Sequence, residues 1–196
     1  MKIENIIYEA FQVDDEIHLP DKVMQVVVGD IDARNNIYRH LINQFNGDLS
    51  HDWFQQFYEE RFSQRKDLKQ DFTPQNVCSL LAKLTDNGTV HEPTAGNGGI
   101  IIAKWYNDIQ NTLPWDYKPS QHMIDCWEFS FSSLPFLLFN LSIRGIMGYV
   151  THGDVLTMKI KRKYALLNRY DDPMGFSEII EIGPNDTIKM KENDSI

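Results

Sequence analysis

Residues 91–100 read His91-Glu92-Pro93-Thr94-Ala95-Gly96-Asn97-Gly98-Gly99-Ile100. Thr89-Val90-His91-Glu92, just before the glycines, reads as a short strand. Ile100-Ile101-Ile102-Ala103, just after them, opens a helix predicted over Gly99 to Tyr106. A strand that ends in a glycine-rich turn and starts a helix brings bare main chain up to a ligand. Glycine tolerates positive φ and carries no Cβ to block approach, and the helix N-terminus presents unpaired N–H groups. No Gly-Lys-Ser/Thr follows, so this is not a phosphate loop, and the spacing is not that of a GxGxxG dinucleotide turn. The turn by itself leaves dinucleotide, nucleoside and plain structural roles open.

Working outward, residues 107–121, with Pro114 and Pro119, read as a loop. His122 to Trp127 is a second strand, Ser132 to Arg144 an apolar helix, and Met147 to Thr151 a third strand that ends at the turn His152-Gly153-Asp154. Strand, turn, helix, strand, helix, strand is the winding of a parallel α/β sheet of Rossmann-like type. Tyr164 to Leu167 reads as a further strand. Phe176 to Ile182 and Thr187 to Lys191, around Gly183-Pro184-Asn185-Asp186, read as a hairpin. Upstream, a helix from Asp32 or Asn35 runs through Phe45. A second is capped by Ser50 and carries Phe54, Tyr58 and Phe62 on one face. A third follows Pro74 and stops near Asn87-Gly88. The expected organisation is an N-terminal helical segment, 1–70, and a ligand-binding α/β domain, 71–196.

The chain has 196 residues, 42% of them hydrophobic, and a formal charge of −9. That argues against a surface that clamps DNA all over, because phosphate contacts need Lys and Arg; it leaves room for a local basic groove. Two basic islands, Arg61 to Lys69 and Lys159 to Lys163, read as solvated surface. Cys78 and Cys126 are far apart and imply neither a disulfide framework nor a zinc site, and the histidines lack ligand spacing. No metal is expected. No apolar run is long enough to span a membrane and no leader pattern opens the chain, so a cytoplasmic protein is expected.

The acids narrow the ligand. Glu128 falls at the end of the second strand, where a carboxylate can accept both hydroxyls of a ribose. Asp154 follows the third strand, within reach of an exocyclic amine. Glu92 ends the first strand, where it would repel a pyrophosphate and attract a cation. A ribose, an adenine, no phosphate and a cationic end describe S-adenosylmethionine.

With these residues in place the chain resembles the N6-adenine DNA methyltransferases, and most closely the modification subunit of type I restriction systems. The likeness spans roughly residues 36–157. It rests on Asp71-Phe72-Thr73-Pro74, Glu92-Pro93-Thr94-Ala95-Gly96-Asn97-Gly98-Gly99, Trp127-Glu128, Asn140-Leu141, Arg144-Gly145-Ile146 and Gly153-Asp154-Val155-Leu156. The resemblance implies a Rossmann-like methyltransferase core that binds S-adenosyl-L-methionine. In it Phe72, Thr73 and Pro74 would lie over the methionine end. Pro93, Ala95, Gly96, Gly98 and Gly99 would carry the methionyl part, Glu128 would take the ribose, and Asp154 would reach the adenine.

The resemblance breaks at the catalytic motif, Asn/Asp-Pro-Pro-Tyr/Phe, which holds the target adenine's N6 and stacks on the flipped base. The nearest stretch is Asp172-Pro173-Met174-Gly175-Phe176. Asp172 and Pro173 are thus weak catalytic candidates, and the stretch reads more naturally as a turn. The core is also expected to be truncated, without the remaining strands or a target-recognition domain. Two classes of function follow. One is a DNA adenine methyltransferase, or the methylating part of an assembly with DNA and another chain as partners. The other is a methyltransferase-like module that acts by binding cofactor, DNA or a partner without catalysis. A methyltransferase for small molecules or proteins is a third. An open sheet edge would invite either a homodimer or cover by the terminal hairpin.

Overall fold

The computed structural model describes residues 3–55, 73–85 and 88–188. Three helices come first: α1 (Ile3–Phe11), α2 (Leu19–Val27) and α3 (Ile31–Gln44). Asp30 caps α3 by accepting the Ala33 N–H at 2.8 Å, which satisfies one of the unpaired donors of the first turn. Then come α4 (Gln75–Leu84), β1 (Val90–Glu92), α5 (Gly99–Asn111), β2 (Ile124–Glu128), α6 (Leu134–Ile143), β3 (Gly148–Asp154), β4 (Lys159–Leu167) and β5 (Glu178–Ile182).

The protein is α/β, with a five-stranded mixed sheet in the order β1-β2-β3-β4-β5. β1, β2 and β3 are parallel, joined through α5 and α6, as the alternation of elements predicts. β4 returns antiparallel to β3, and β5 antiparallel to β4. The strand expected over Phe176 to Ile182 forms as β5 and pairs with β4; its expected hairpin partner was Thr187 to Lys191. Residues 187 and 188 carry no strand, and the rest of that stretch lies outside the described residues. The expected turn at His152-Gly153-Asp154 is corrected. Those residues finish β3, with a register shift between His152 and Gly153.

α6 explains how the halves fit. All ten of its residues are buried, so it needs cover on every side. The sheet covers one side and the N-terminal helices the other. Phe139 stands at the centre, with the rings of Tyr38, Phe54 and Phe11 at 4.9, 5.0 and 5.7 Å, near edge-on. Ile7, Phe11, Leu19, Val23 and Val27 belong to one core cluster with Leu137, Leu141 and Val150. Most of the helix expected after Ser50 lies outside the described residues. Within them, Ser50 donates its hydroxyl to Asp48 at 2.6 Å, and Asp52 accepts the Phe54 N–H at 2.9 Å.

Candidate functional site

A cavity of about 680 Å³ lies beyond the carboxyl ends of β1, β2 and β3. The turn from β1 lines it with Pro93, Thr94, Ala95, Gly96, Asn97, Gly99 and Ile100. β2 contributes Glu128 and Phe129, and β3 contributes Gly153 to Leu156. Ser133, Asp52, Gln55, Thr73 and Gln75 complete the wall. Three carboxylates and no Lys or Arg stand among these residues. Such a wall favours a cation and repels phosphate.

The turn is locked to β2. The Ala95 N–H donates to the Trp127 carbonyl at 2.9 Å, and the Gly96 N–H to Glu128 Oε2 at 2.7 Å. Glu128 Oε1 accepts the Ser130 N–H at 2.6 Å. The Phe129 N–H also acts on this carboxylate, which retains acceptor capacity for a ligand hydroxyl. Glu128 is only 6% exposed. Burial raises its pKa above the ordinary value, against the opposing pull of the Ser130 and Gly96 N–H groups.

The glycines do different work. Gly96 has φ +56°, and a Cβ there would meet nothing within 4 Å. Gly98 has φ +92°, and its Cβ would stand 3.0 Å from Leu137 Cδ1 on α6. Gly98 thus lets the turn approach a helix and does not line the cavity. A Cβ on Gly99 would meet only Cys78 Sγ, at 3.6 Å, an ordinary contact.

The expected acids are staggered along the sheet. Glu92 is level with Cys126, two residues before Glu128, and Glu128 is level with His152, two residues before Asp154. Glu92 to Asp154 therefore advances about 13 Å along the strands at ~3.3 Å per residue. Glu128 and Asp154 face the cavity. Glu92 does not line it; its Oε1 accepts the Thr94 N–H at 3.2 Å, folded over its own turn. Asp154 accepts the Leu156 N–H at 3.0 Å. A hydrogen bond from Thr157 leads the causes that hold its pKa below the ordinary value.

Of the other expected residues, Thr73 lines the cavity, Pro74 occupies the N-cap position of α4 without lining it, and Phe72 lies outside the described residues. Asp172 and Pro173 do not meet the cavity. β4 is antiparallel to β3, with Leu166 opposite Gly148, so the residues after Leu167 sit at the other end of the sheet. There they form the turn that the sequence favours: the Gly175 N–H donates to the Asp172 carbonyl at 2.9 Å, and the Met174 N–H to Asp172 Oδ1 at 2.9 Å.

Sequence reasoning missed the support behind the turn. Asp52, 8% exposed, receives Asn140 Nδ2 at 2.9 Å on one oxygen and Asn97 Nδ2 at 3.1 Å on the other. Asn140 Nδ2 also donates to the Asn97 carbonyl at 2.9 Å. Arg144 holds Asn140 in turn, donating to its carbonyl at 2.7 Å, and reaches the carbonyls of Leu49 and His51 at 2.9 and 2.7 Å. Burial raises the pKa of Asp52 and lowers that of Arg144 to about 10. Asn140 and Arg144 share one helix face at i, i+4, but only the folded chain brings Asp52 to them. Phe129, 62% exposed, sits at the cavity mouth with Lys161 Nζ 4.7 Å from its ring centroid. That lysine of the second basic island is thus placed against an aromatic face; the first island, Arg61 to Lys69, lies outside the described residues.

No protein-family model and no curated protein matches this chain. Among the described residues no helix is long and apolar enough to cross a membrane, and no group of three His, Cys, Asp or Glu side chains is arranged to hold a metal ion. Both cysteines are free and buried.

Proposed function

We propose that the chain binds S-adenosylmethionine in this cavity, as a module of the N6-adenine DNA methyltransferase kind. The observation that carries the reading is the buried Glu128 carboxylate, tied to the Gly96 N–H, at the edge of a cavity walled by main chain and acids. Glu128 accepts the ribose hydroxyls and the Asp154 carboxylate the adenine amine. The exposed Phe129 ring offers a face for stacking on the base. The sulfonium and ammonium charges are compatible with a wall that, among the described residues, contains Asp52 and no Lys or Arg.

The same geometry favours a binding module over a self-sufficient enzyme. A methyl acceptor must be held in line with the sulfonium group, within a few ångströms of it. Asp172 and Pro173, the chain's closest approach to the family's catalytic motif, stand at the opposite end of the sheet. DNA or a second chain that brings the acceptor is the partner this arrangement implies.

Titration calorimetry tests the proposal. S-adenosylmethionine and its demethylated product should both release heat, and NAD should not. Glu128→Ala should weaken binding about tenfold or more, because it removes charge-assisted bonds of ~1.5–3 kcal/mol. Absence of heat with either cofactor form would refute the reading. Tritiated cofactor with duplex DNA separates the two classes: label in N6-methyladenine would make the chain an enzyme.

A further inference from the structure

A second cavity, about 410 Å³, lies at the other end of the sheet, between α3 and the loop that joins β4 to β5. Arg34 and Arg39 reach it from α3; Arg169, Tyr170, Met174 and Glu178 reach it from the β4–β5 side. Arg34 is 2% exposed, as buried as Arg144. The two differ in their partners. Arg144 spends its donors on three backbone carbonyls. Arg34 offers Nε and Nη2 to one neutral oxygen, Asn35 Oδ1, at 3.3 and 3.2 Å, and rests 5.5 Å from the Tyr38 ring centroid. Among the described residues no carboxylate is within ion-pair distance of Arg34 or Arg39. A guanidinium carries five donors, and burying one without a counter-charge is costly. Arg169 forms a two-pronged pair with Glu178 at 2.6 and 2.7 Å. Three arginines against one carboxylate leave the cavity two positive charges in excess.

We propose that this cavity binds the phosphate group of a nucleoside monophosphate. Arg34 and Arg39 take the phosphoryl oxygens, and the base rests on the rim formed by Tyr170 and Met174, which are 90% and 86% exposed. A phosphate monoester carries close to two negative charges at neutral pH, which matches the excess, and the planar guanidinium fork suits its oxygens. An exposed ring and thioether beside that fork give a nucleobase an apolar face.

Calorimetry at low salt with inorganic phosphate, AMP and adenosine tests this. In Glu128→Ala, whose first cavity has lost its ribose contact, phosphate and AMP should bind, AMP more tightly than phosphate, and adenosine should bind far more weakly than AMP. Arg39→Gln, at an exposed position, should raise the Kd for both about tenfold, the loss expected for charge-assisted bonds of ~1.5–3 kcal/mol. Arg34→Met should leave the ligand-free Tm unchanged or higher, because an uncompensated buried charge is removed, and should abolish the rise in Tm that phosphate produces. Glu128→Ala should leave phosphate binding intact, which separates this site from the first cavity. Silence of phosphate and AMP at millimolar concentration, or a fall in the ligand-free Tm of Arg34→Met, would overturn the proposal.

Discussion

Gly98 and Gly96 are two residues apart, both with positive φ, and the same substitution should affect them differently. An alanine at either position must hold a left-handed conformation, which costs about 1–2 kcal/mol. At Gly98 the new methyl also meets Leu137 Cδ1 at 3.0 Å, inside a packed core, where overpacking adds about 1–3 kcal/mol. Gly98→Ala should therefore destabilise the fold by about 3 kcal/mol, and Gly96→Ala by only about 1 kcal/mol, as read from urea unfolding midpoints. Asp52 supplies a second test at this scale. Burial holds its folded pKa above the unfolded value. The folded state thus binds the proton more tightly. The stability this contributes is complete below the ordinary carboxylate range and is lost as pH rises through the raised value. Asp52→Asn removes that titration. The new amide can donate to Asn97 Oδ1, which is buried without a partner, once the Asn97 amide turns over. The variant should match the parent at pH 4 and equal or exceed it at pH 7.5 in denaturant titrations. A shallower decline with pH will persist from Glu128, which is shifted in the same direction.

At the scale of elements, α6 carries the most. Phe139 is fully buried and touches aromatic rings from α1, α3 and residue 54. Phe139→Ala should cost about 3–5 kcal/mol, the range for deleting a buried ring, measured by the unfolding midpoint and a loss of near-ultraviolet dichroism. The apolar run that makes α6 indispensable also made it legible, as did the alternation of strand and helix from Thr89 to Thr151. α1 and α2 were not legible. Each has nine residues and an acid in its first turn, and takes its helical stability from packing, α2 on α6 and α1 on α3 and α2, since short isolated helices are marginal in water. β4 was read only in its buried half, Tyr164 to Leu167. Its exposed half, Lys159 to Lys163, is charged because it faces solvent. The turn expected at Gly183-Pro184-Asn185-Asp186 forms, with the Asp186 N–H donating to the Gly183 carbonyl at 3.0 Å, but the sequence did not show that β5 before it pairs with β4 across a longer connection. In the cavity wall, Glu128, Gly96 and Gly99 were legible because strand ends and bare main chain leave a local pattern, whereas Gly98 turned out to face α6. The links from Asp52 to Asn97 and Asn140 span 45 and 88 residues and leave none.

The whole molecule has its core where the N-terminal helical segment meets the α/β part of the chain. The packing makes the α/β part depend on the N-terminal helices. Ile7, Phe11, Leu19, Val23 and Val27 are at most 1% exposed, and they share the cluster that holds Leu137 and Leu141 of α6. Leu137 in turn sits against Gly98, at the start of the helix that follows the glycine-rich turn. Remove α1 and α2, and one side of a helix that is apolar all round faces water. Burying a single large apolar side chain contributes about 1.5–3 kcal/mol, so losing five such partners removes about 7.5–15 kcal/mol, as much as the ~5–15 kcal/mol that holds a typical domain together. Deletion of residues 1–28 should therefore not yield a smaller cofactor-binding domain. The shortened chain should lose its cooperative thermal transition, bind a hydrophobic dye, keep part of its far-ultraviolet dichroism, and release no heat with S-adenosylmethionine. A shortened chain that melts cooperatively would show that the sheet and its turn are self-sufficient, and that the N-terminal helices are an appendage after all.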